Sequence, residues 1–261
     1  FNPFPGLRPF SFDESHLFFG REGQVDEILN KLSRNKSVSV LGSSGSGKSS
    51  LIYSGLIPAL YGGFVTQTGP NWKVIQTRPG LSPIENLADS IVDTLVSNGN
   101  LAEEDKVLQR LVILSVLRNS PFGLIEISRF LQGRSGENVC FLIDQFEEIF
   151  RYRKSTGEES KNDSSHYVRL VLDALSQKEV PIYVVLSKRS DFINECAEFQ
   201  GLTEILNLSN YVVPKMSREQ KRMAIEGPVS VGGGKISRRL VKGLLSDLQD
   251  VPDALPILQH A

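Results

Sequence analysis

The sequence predicts a three-layer α/β fold built on a central parallel sheet of five strands, and three observations carry that expectation. Five short apolar runs recur, at residues 37–41 (SVSVL), 74–77 (VIQT), 139–143 (VCFLI), 182–186 (IYVVL) and 211–213 (YVV). Between them lie segments with helical periodicity, the alternation expected of a parallel sheet covered on both faces. The first run ends in a glycine-rich turn that opens a helix.

The chain has 261 residues. At roughly 150 residues per domain this is one large domain, or one domain and part of a second. Hydrophobic residues make up 40% and charged residues 23%, which excludes a disordered tail, a coiled coil and a collagen-like fibre. No apolar run approaches the ~18 residues of a membrane span. Lys plus Arg is 29 and Asp plus Glu is 30, a net charge of −1, so no overall field draws in nucleic acid or an anionic membrane. Cys140 and Cys196 are too few for a disulfide scaffold and lack metal-ligand spacing, so a reduced, cytoplasmic protein is expected. His16, His166 and His260 are scattered, which disfavours a histidine metal site. The chain opens at Phe1 without an initiator Met or signal peptide and stops at Ala261 within an apolar stretch. It therefore reads as a piece of a longer polypeptide.

Taken in order, residues 1–15 hold three prolines and four phenylalanines, an arm that cannot be a helix and whose aromatics anchor it to a core. Residues 22–32 form an amphipathic helix through Val25, Ile28, Leu29 and Leu32. The helix opened by Lys48 is expected to end at Pro58. Further helices are expected at 84–96, 107–117, 125–131, 167–175 and 218–225, and residues 154–165 (KSTGEESKNDSS) as an exposed loop. At Gly227 the chain resets. The nucleotide-binding domain is placed at 1–226, with its arm at 1–17, and the start of a small helical lid at 227–261.

Gly42-Ser43-Ser44-Gly45-Ser46-Gly47-Lys48-Ser49 fits G-x-x-x-x-G-K-[ST], between a strand and a helix as the mechanism requires. Glycines let the backbone wrap so that successive N–H groups point at phosphates, and the helix N-terminus adds partial positive charge. Lys48 can reach the β- and γ-phosphates, and the Ser49 hydroxyl can ligate Mg²⁺. The pattern implies a nucleotide site. A metal-bound triphosphate also needs a carboxylate at an adjacent strand end. Asp144, after VCFLI, supplies it, with a helix N-cap as the alternative role. Glu147 and Glu148 follow in DQFEE, and either can orient an attacking water. Acids in a first helical turn are also favoured by the dipole alone. Arg189, at the end of the next strand, can read a γ-phosphate, the alternative being a Lys188–Arg189 pair pointing into water.

With these residues in view, the chain resembles the novel STAND NTPase family of bacteria. These are signal-transduction P-loop ATPases related to NACHT and plant-resistance-type switches. The segments that carry the resemblance are PFPGLRPF, FFGRE, GSSGSGKSSLIYSGLIPAL, RPG, DQFEEIF and LPILQHA. It implies a P-loop NTPase fold with ATP or ADP and Mg²⁺ as cofactors. Gly42 to Ser50 would cradle the phosphates (Ser50 included), Asp144 and Ser49 would hold Mg²⁺, and Arg189 would sense the γ-phosphate. Phe19, Gly20 and Arg21 would border the adenine, and Pro256, in ALPIL, would pack on the base from the lid. Gln145 departs from the small residue of NACHT-type proteins, which leaves the catalytic base open between Glu147 and Glu148. The resemblance further implies slow hydrolysis used as a timer in signal transduction or defence. Its partners would be effector and sensor domains flanking this segment, with homo-oligomerisation on activation.

Rival readings fare worse. A GTPase needs N-K-x-D after the loop, but the Asn35-Lys36 pair precedes it. No transporter-type L-S-G-G-Q signature precedes Asp144. A DNA-associated AAA+-like ATPase shares the opening motifs but usually has a basic surface. A non-hydrolysing, nucleotide-stabilised scaffold needs only the loop, Asp144 and Mg²⁺, and stays open.

Overall fold

The structure, a computed structural model, describes residues 2–63, 70–133, 136–155, 158–192 and 194–247. The chain divides into two compact units. One comprises Lys31–Val40 and Asn71–Tyr211, the other Phe1–Asn30, Leu41–Pro70 and Val212–Ala261.

The larger unit is organised by the sheet. Strands β1 (Ser37–Gly42), β2 (Trp72–Thr77), β3 (Asn138–Ile143), β4 (Ile182–Arg189) and β5 (Asn210–Val212) lie in the order β2-β3-β4-β1-β5. All five predicted strands are present, in a parallel sheet. Every residue of β3 is buried, as a strand with helices on both faces requires. Thr77, Ile143 and Leu186 fall in one row of the register. The residues that follow β2 and β3, Arg78 and Asp144, therefore leave the sheet along one edge, beside the last residues of β4.

Helices α4 (Pro83–Ser97), α5 (Lys106–Asn119), α6 (Gly123–Gln132), α7 (Glu148–Ser155), α8 (Glu158–Ser176) and α9 (Leu202–Leu208) belong to this unit. Phe141, Phe146, Phe150 and Tyr167 are its largest wholly buried apolar side chains. Residues 158–165, expected as a loop, are helical. Ser164, Tyr167 and Val168 are buried, and this packing carries the helix back toward its N-terminus.

The smaller unit contains the N-terminal arm, the turn after β1 and the C-terminal helices. The arm turns at Gly6–Arg8, and its end forms a 3-10 turn, Phe12–Leu17, within the segment expected to be non-helical. The turn opens on Ser11, whose N–H bonds back to Glu14. Phe10 is buried edge-on against Phe18, its N–H donating to Ser50 Oγ at 3.2 Å.

After the turn the helix does not stop at Pro58. It runs as α2 (Lys48–Ser50), a π-helical turn Leu51–Leu56, and α3 (Ile57–Tyr61). Pro58 follows directly on the π-helical turn, whose wider i→i−5 winding carries the helix past the one bond that the proline cannot donate. Helix α10 (Arg218–Val231) likewise continues through Gly227 and Pro228 instead of ending at residue 225. Ile225 and Pro228 are both buried, and that packing offsets the one backbone bond the proline removes. Helix α11 (Arg238–Asp247) packs Val241 and Leu245 against Ile225. Helix α1 (Glu22–Asn35) begins in this unit.

Candidate nucleotide site

In the smaller unit the turn after β1 has the geometry of a phosphate cradle. Gly45 and Gly47 have φ of 69° and 86°, a left-handed backbone that side chains disfavour, and Gly47 caps the helix beginning at Lys48. The Lys48 Nζ donates to the carbonyls of Gly42 (3.0 Å) and Ser43 (2.6 Å), lying along the loop. Ser46 Oγ closes the turn onto Ser43 O at 2.9 Å, and Ser44 is exposed at its tip. A Cβ on Gly42 would meet Ser46 Oγ at 2.6 Å, so a side chain there would push that hydroxyl off its bond to Ser43 O.

Arg21 braces this loop. Its side chain is buried, with Nη2 donating to Ser46 O (2.9 Å) and Nη1 to Pro214 O (2.8 Å) and Gln24 Oε1 (2.7 Å). A cavity of about 180 Å³ opens beside the loop, lined by Gly45, Gly47, Lys48, Ser49 and Ser50 on one side. Phe19 and Arg21 line it too, together with Gly6 to Phe10 of the arm, Met216 and Ala224. Three cations (Arg8, Arg21 and Lys48) and no acid line it among the described residues, a field suited to phosphate. Gly20 sits elsewhere, its Cα so close to α10 that a Cβ would lie 2.6 Å from Gln220 O. Pro256 lies outside the described residues.

The arm wall was not legible as a ligand surface, since its Pro and Phe residues read as anchors. A bidentate ion pair shapes it: Arg8 Nη1 and Nη2 reach Glu14 Oε2 and Oε1 at 2.7 and 2.6 Å. The guanidinium, with the Ser11 N–H, holds the Glu14 carboxyl down at about 2. Its ionised form therefore favours the folded arm above pH ~4.5, and that contribution fades as pH falls from there toward 2. A Glu14→Gln variant should have a lower Tm than wild type at pH 7, and the two should converge below pH 3. A Tm difference independent of pH would contradict the pair's role.

In the larger unit the strand ends gather a second set. Asp144 is buried, and its Oδ2 accepts from Arg78 Nη2 at 3.2 Å. Its own N–H donates to Thr77 O, which pins it to β2. It is not a helix cap, because α7 begins at Glu148. Gln145 takes φ of 55°, turning the chain so that Phe146 N–H meets Ser187 O at 2.9 Å. That turn buries Glu147, whose Oε2 accepts from Arg189 N at 3.2 Å. Glu148 points elsewhere, accepting from Gly80 N at 3.0 Å. Within this unit Asp144 is thus tied to Arg78 and Glu147 to the Arg189 N–H, and Glu148 instead braces the segment after β2.

Lys188 and Arg189 do not point into water together. Lys188 is buried with Nζ 2.8 Å from Cys196 Sγ, and the partly exposed Arg189 pairs with Asp191 at 2.5 Å. Arg78, in the RPG segment, belongs to no motif that marks it for the site. Its signal was position, since it follows β2 as Asp144 follows β3. Cys140 is inert packing, its thiol pushed up to about 12 by burial. Among the described residues no helix is long and apolar enough to cross a membrane.

Comparison with known proteins agrees with this geometry. No curated protein matches the chain. Among solved structures, the Walker-type ATPase PABY2304 of Pyrococcus abyssi superposes with a TM-score of 0.58 at 14% identity, over 97% of this chain and 69% of that one. The ORC1 protein of Aeropyrum pernix, in complex with DNA, gives 0.56 at 13%, over 92% of this chain and 58% of its own. The ORC2 protein of the same organism, in ADPNP–ADP complexes, gives 0.55 at 13%, over 81% and 52%. The chain thus spans little more than half of either ORC protein, and identities this low establish a shared fold alone. The family model described as Novel STAND NTPase 1 matches residues 3–261. With that match over nearly its whole length, the chain belongs to the novel STAND NTPase 1 family, and so to the nucleotide-binding P-loop ATPases.

Proposed function

We propose that the chain is the nucleotide-binding part of a cytoplasmic signalling or defence switch that binds ATP and ADP and hydrolyses ATP slowly with Mg²⁺. The observation that supports this best is the cationic cavity beside the phosphate loop, with the arm and Phe19 supplying apolar wall for a base. The Aeropyrum ORC2 protein of similar fold is known in ADPNP–ADP complexes, which fits a site of this kind. Gly42 to Ser50 take the phosphates, Lys48 pairs with the β- and γ-oxygens, and Phe19 and Arg21 border the base. Residues 227–261 begin the helical lid, with Pro256 against the base.

A donor set of one carboxylate and one hydroxyl suits Mg²⁺, which keeps phosphate and water ligands for the rest. Asp144 and Ser49 are the residues for that set. Asp144 is held in place by Arg78, a cation that Mg²⁺ would displace from this carboxylate or share it with. When bound, the ion would neutralise charge on the phosphates. Glu147, buried and oriented by Arg189 N–H, is the stronger candidate for ordering water, since Glu148 is engaged with Gly80. Arg189 senses the γ-phosphate. A few kcal/mol of differential contact between ATP and ADP is enough to shift a two-state lid.

The test is Glu147→Gln. Loss of a positioned base should lower turnover by about 100-fold while nucleotide affinity stays within about threefold. If wild type and variant both stay at background, the non-hydrolysing scaffold is the correct reading. Stimulation of turnover by duplex DNA would favour a DNA-associated ATPase instead, as the DNA-bound ORC1 neighbour suggests for the fold.

A further inference from the structure

We infer that this chain pairs with a second copy of itself through the outer face of α5, as an antiparallel two-fold helix pair centred on Leu111. An amphipathic helix is expected to hide one apolar stripe, yet α5 carries two. Ile113 and Leu117 are buried in the core. On the other side Val107, Leu108, Leu111 and Val112 are exposed, at 71%, 66%, 56% and 48%. Four large aliphatic residues in one stripe along a single helix make a patch that monomers rarely leave in water. One edge of the helix is closed by ion pairs to α4, Lys106–Asp93, Arg110–Asp89 and Arg118–Glu85, which makes a polar rim.

The order of charges along the helix selects the occupant. Leu108, Leu111, Ser115 and Arg118 follow one another on α5 at steps of three and four, and Glu104, in the 3-10 turn Glu103–Asp105 that leads into α5, stands one step of four before Leu108. Glu104 and Arg118 lie equally far from Leu111 on either side. An antiparallel copy centred there sets Glu104 against Arg118 of the partner subunit at both ends, with Leu111 meeting Leu111 of the partner subunit on the axis. Glu103 and Asp105 extend the acidic end, and the antiparallel helix dipoles add to the match. A parallel pair would instead set acid on acid. Self-complementarity about one residue is what an isologous two-fold contact demands and what an unrelated partner has no reason to show.

Sedimentation of the 261-residue chain from 1 to 100 μM should reveal a monomer–dimer equilibrium that nucleotide does not alter. Leu111→Glu should give a monomer with unchanged Tm, since that side chain is exposed. Glu104→Arg or Arg118→Glu alone should each weaken the dimer about fivefold or more, and the double swap should restore it. Arg118→Glu also loses the pair with Glu85, a loss the double swap keeps, so restoration reports the intermolecular contact alone. Leu111→Cys should give a disulfide-linked dimer in air, with Cys140 and Cys196 buried and silent. A wild-type monomer at 100 μM overturns the inference and assigns the face to a different partner. A dimer that survives Leu111→Glu, or that the double swap fails to restore, overturns it as well.

Discussion

Replacing Lys48 with Ala is expected to weaken ATP and ADP binding by at least about 100-fold. Charge-assisted bonds from an ammonium to phosphate contribute about 1.5–3 kcal/mol, and Lys48 is the loop's one ammonium. In the structure its Nζ donates to the Gly42 and Ser43 carbonyls, so the group already lies along the cradle. The cost to folding falls mainly on the carbonyl of Gly42, buried at the end of β1, since water reaches the exposed Ser43. The check is titration with a fluorescent ATP analogue beside a thermal melt. Affinity within threefold of wild type at an unchanged Tm would remove the turn from the nucleotide site.

Replacing Arg21 with Ala is expected to lower stability by about 3 kcal/mol and nucleotide affinity with it. The guanidinium bonds three acceptors, two of them backbone carbonyls, and Arg21 is only 4% exposed. Ala leaves the Ser46 and Pro214 carbonyls to find other donors, at about 1–3 kcal/mol for each that stays buried. At about 2–4 °C per kcal/mol for a chain of this size, Tm should fall by roughly 6–12 °C. Arg21→Lys should recover little, since one ammonium cannot reproduce the planar fork that spans both carbonyls. A Tm within 1 °C of wild type would show that Arg21 is not the brace its bonds describe. Because Ser46 belongs to the phosphate turn, weakened binding without loss of Tm would instead assign Arg21 to the ligand directly.

Most of the helices and all five strands were legible because their signals are local. A run of β-branched and apolar residues bounded by polar turns reads as a strand wherever it occurs. The helical misjudgements share one cause. Residues 158–165, the helix past Pro58 and α10 past residue 225 are all polar, proline- or glycine-containing segments, which lack intrinsic helix preference. Ser164, Tyr167, Ile225 and Pro228 are buried, and burial of that kind outweighs propensities of under about 1 kcal/mol per residue.

The same division runs through the candidate site. The amino-acid sequence alone determined the strand–turn–helix of the phosphate loop. Its chemistry depends on residues adjacent in the chain, glycines that accept left-handed backbone and a lysine at a helix start. It also placed an acid at the end of β3 and an arginine at the end of β4, because strand ends are local features. Only the tertiary structure decided what those groups touch. Arg78 meets Asp144 because β2 and β3 pair in register, across 66 residues of sequence. Glu147 and Glu148, adjacent and alike on paper, part because Gln145 turns the chain and one carboxylate meets Arg189 N–H, the other Gly80 N–H. The arm became a wall of the cavity for the same reason, since no local pattern in PFPGLRPF specifies the surface against which it packs. Local backbone rules can be read from neighbouring residues, whereas the partner of a side chain depends on which distant segments the fold brings beside it.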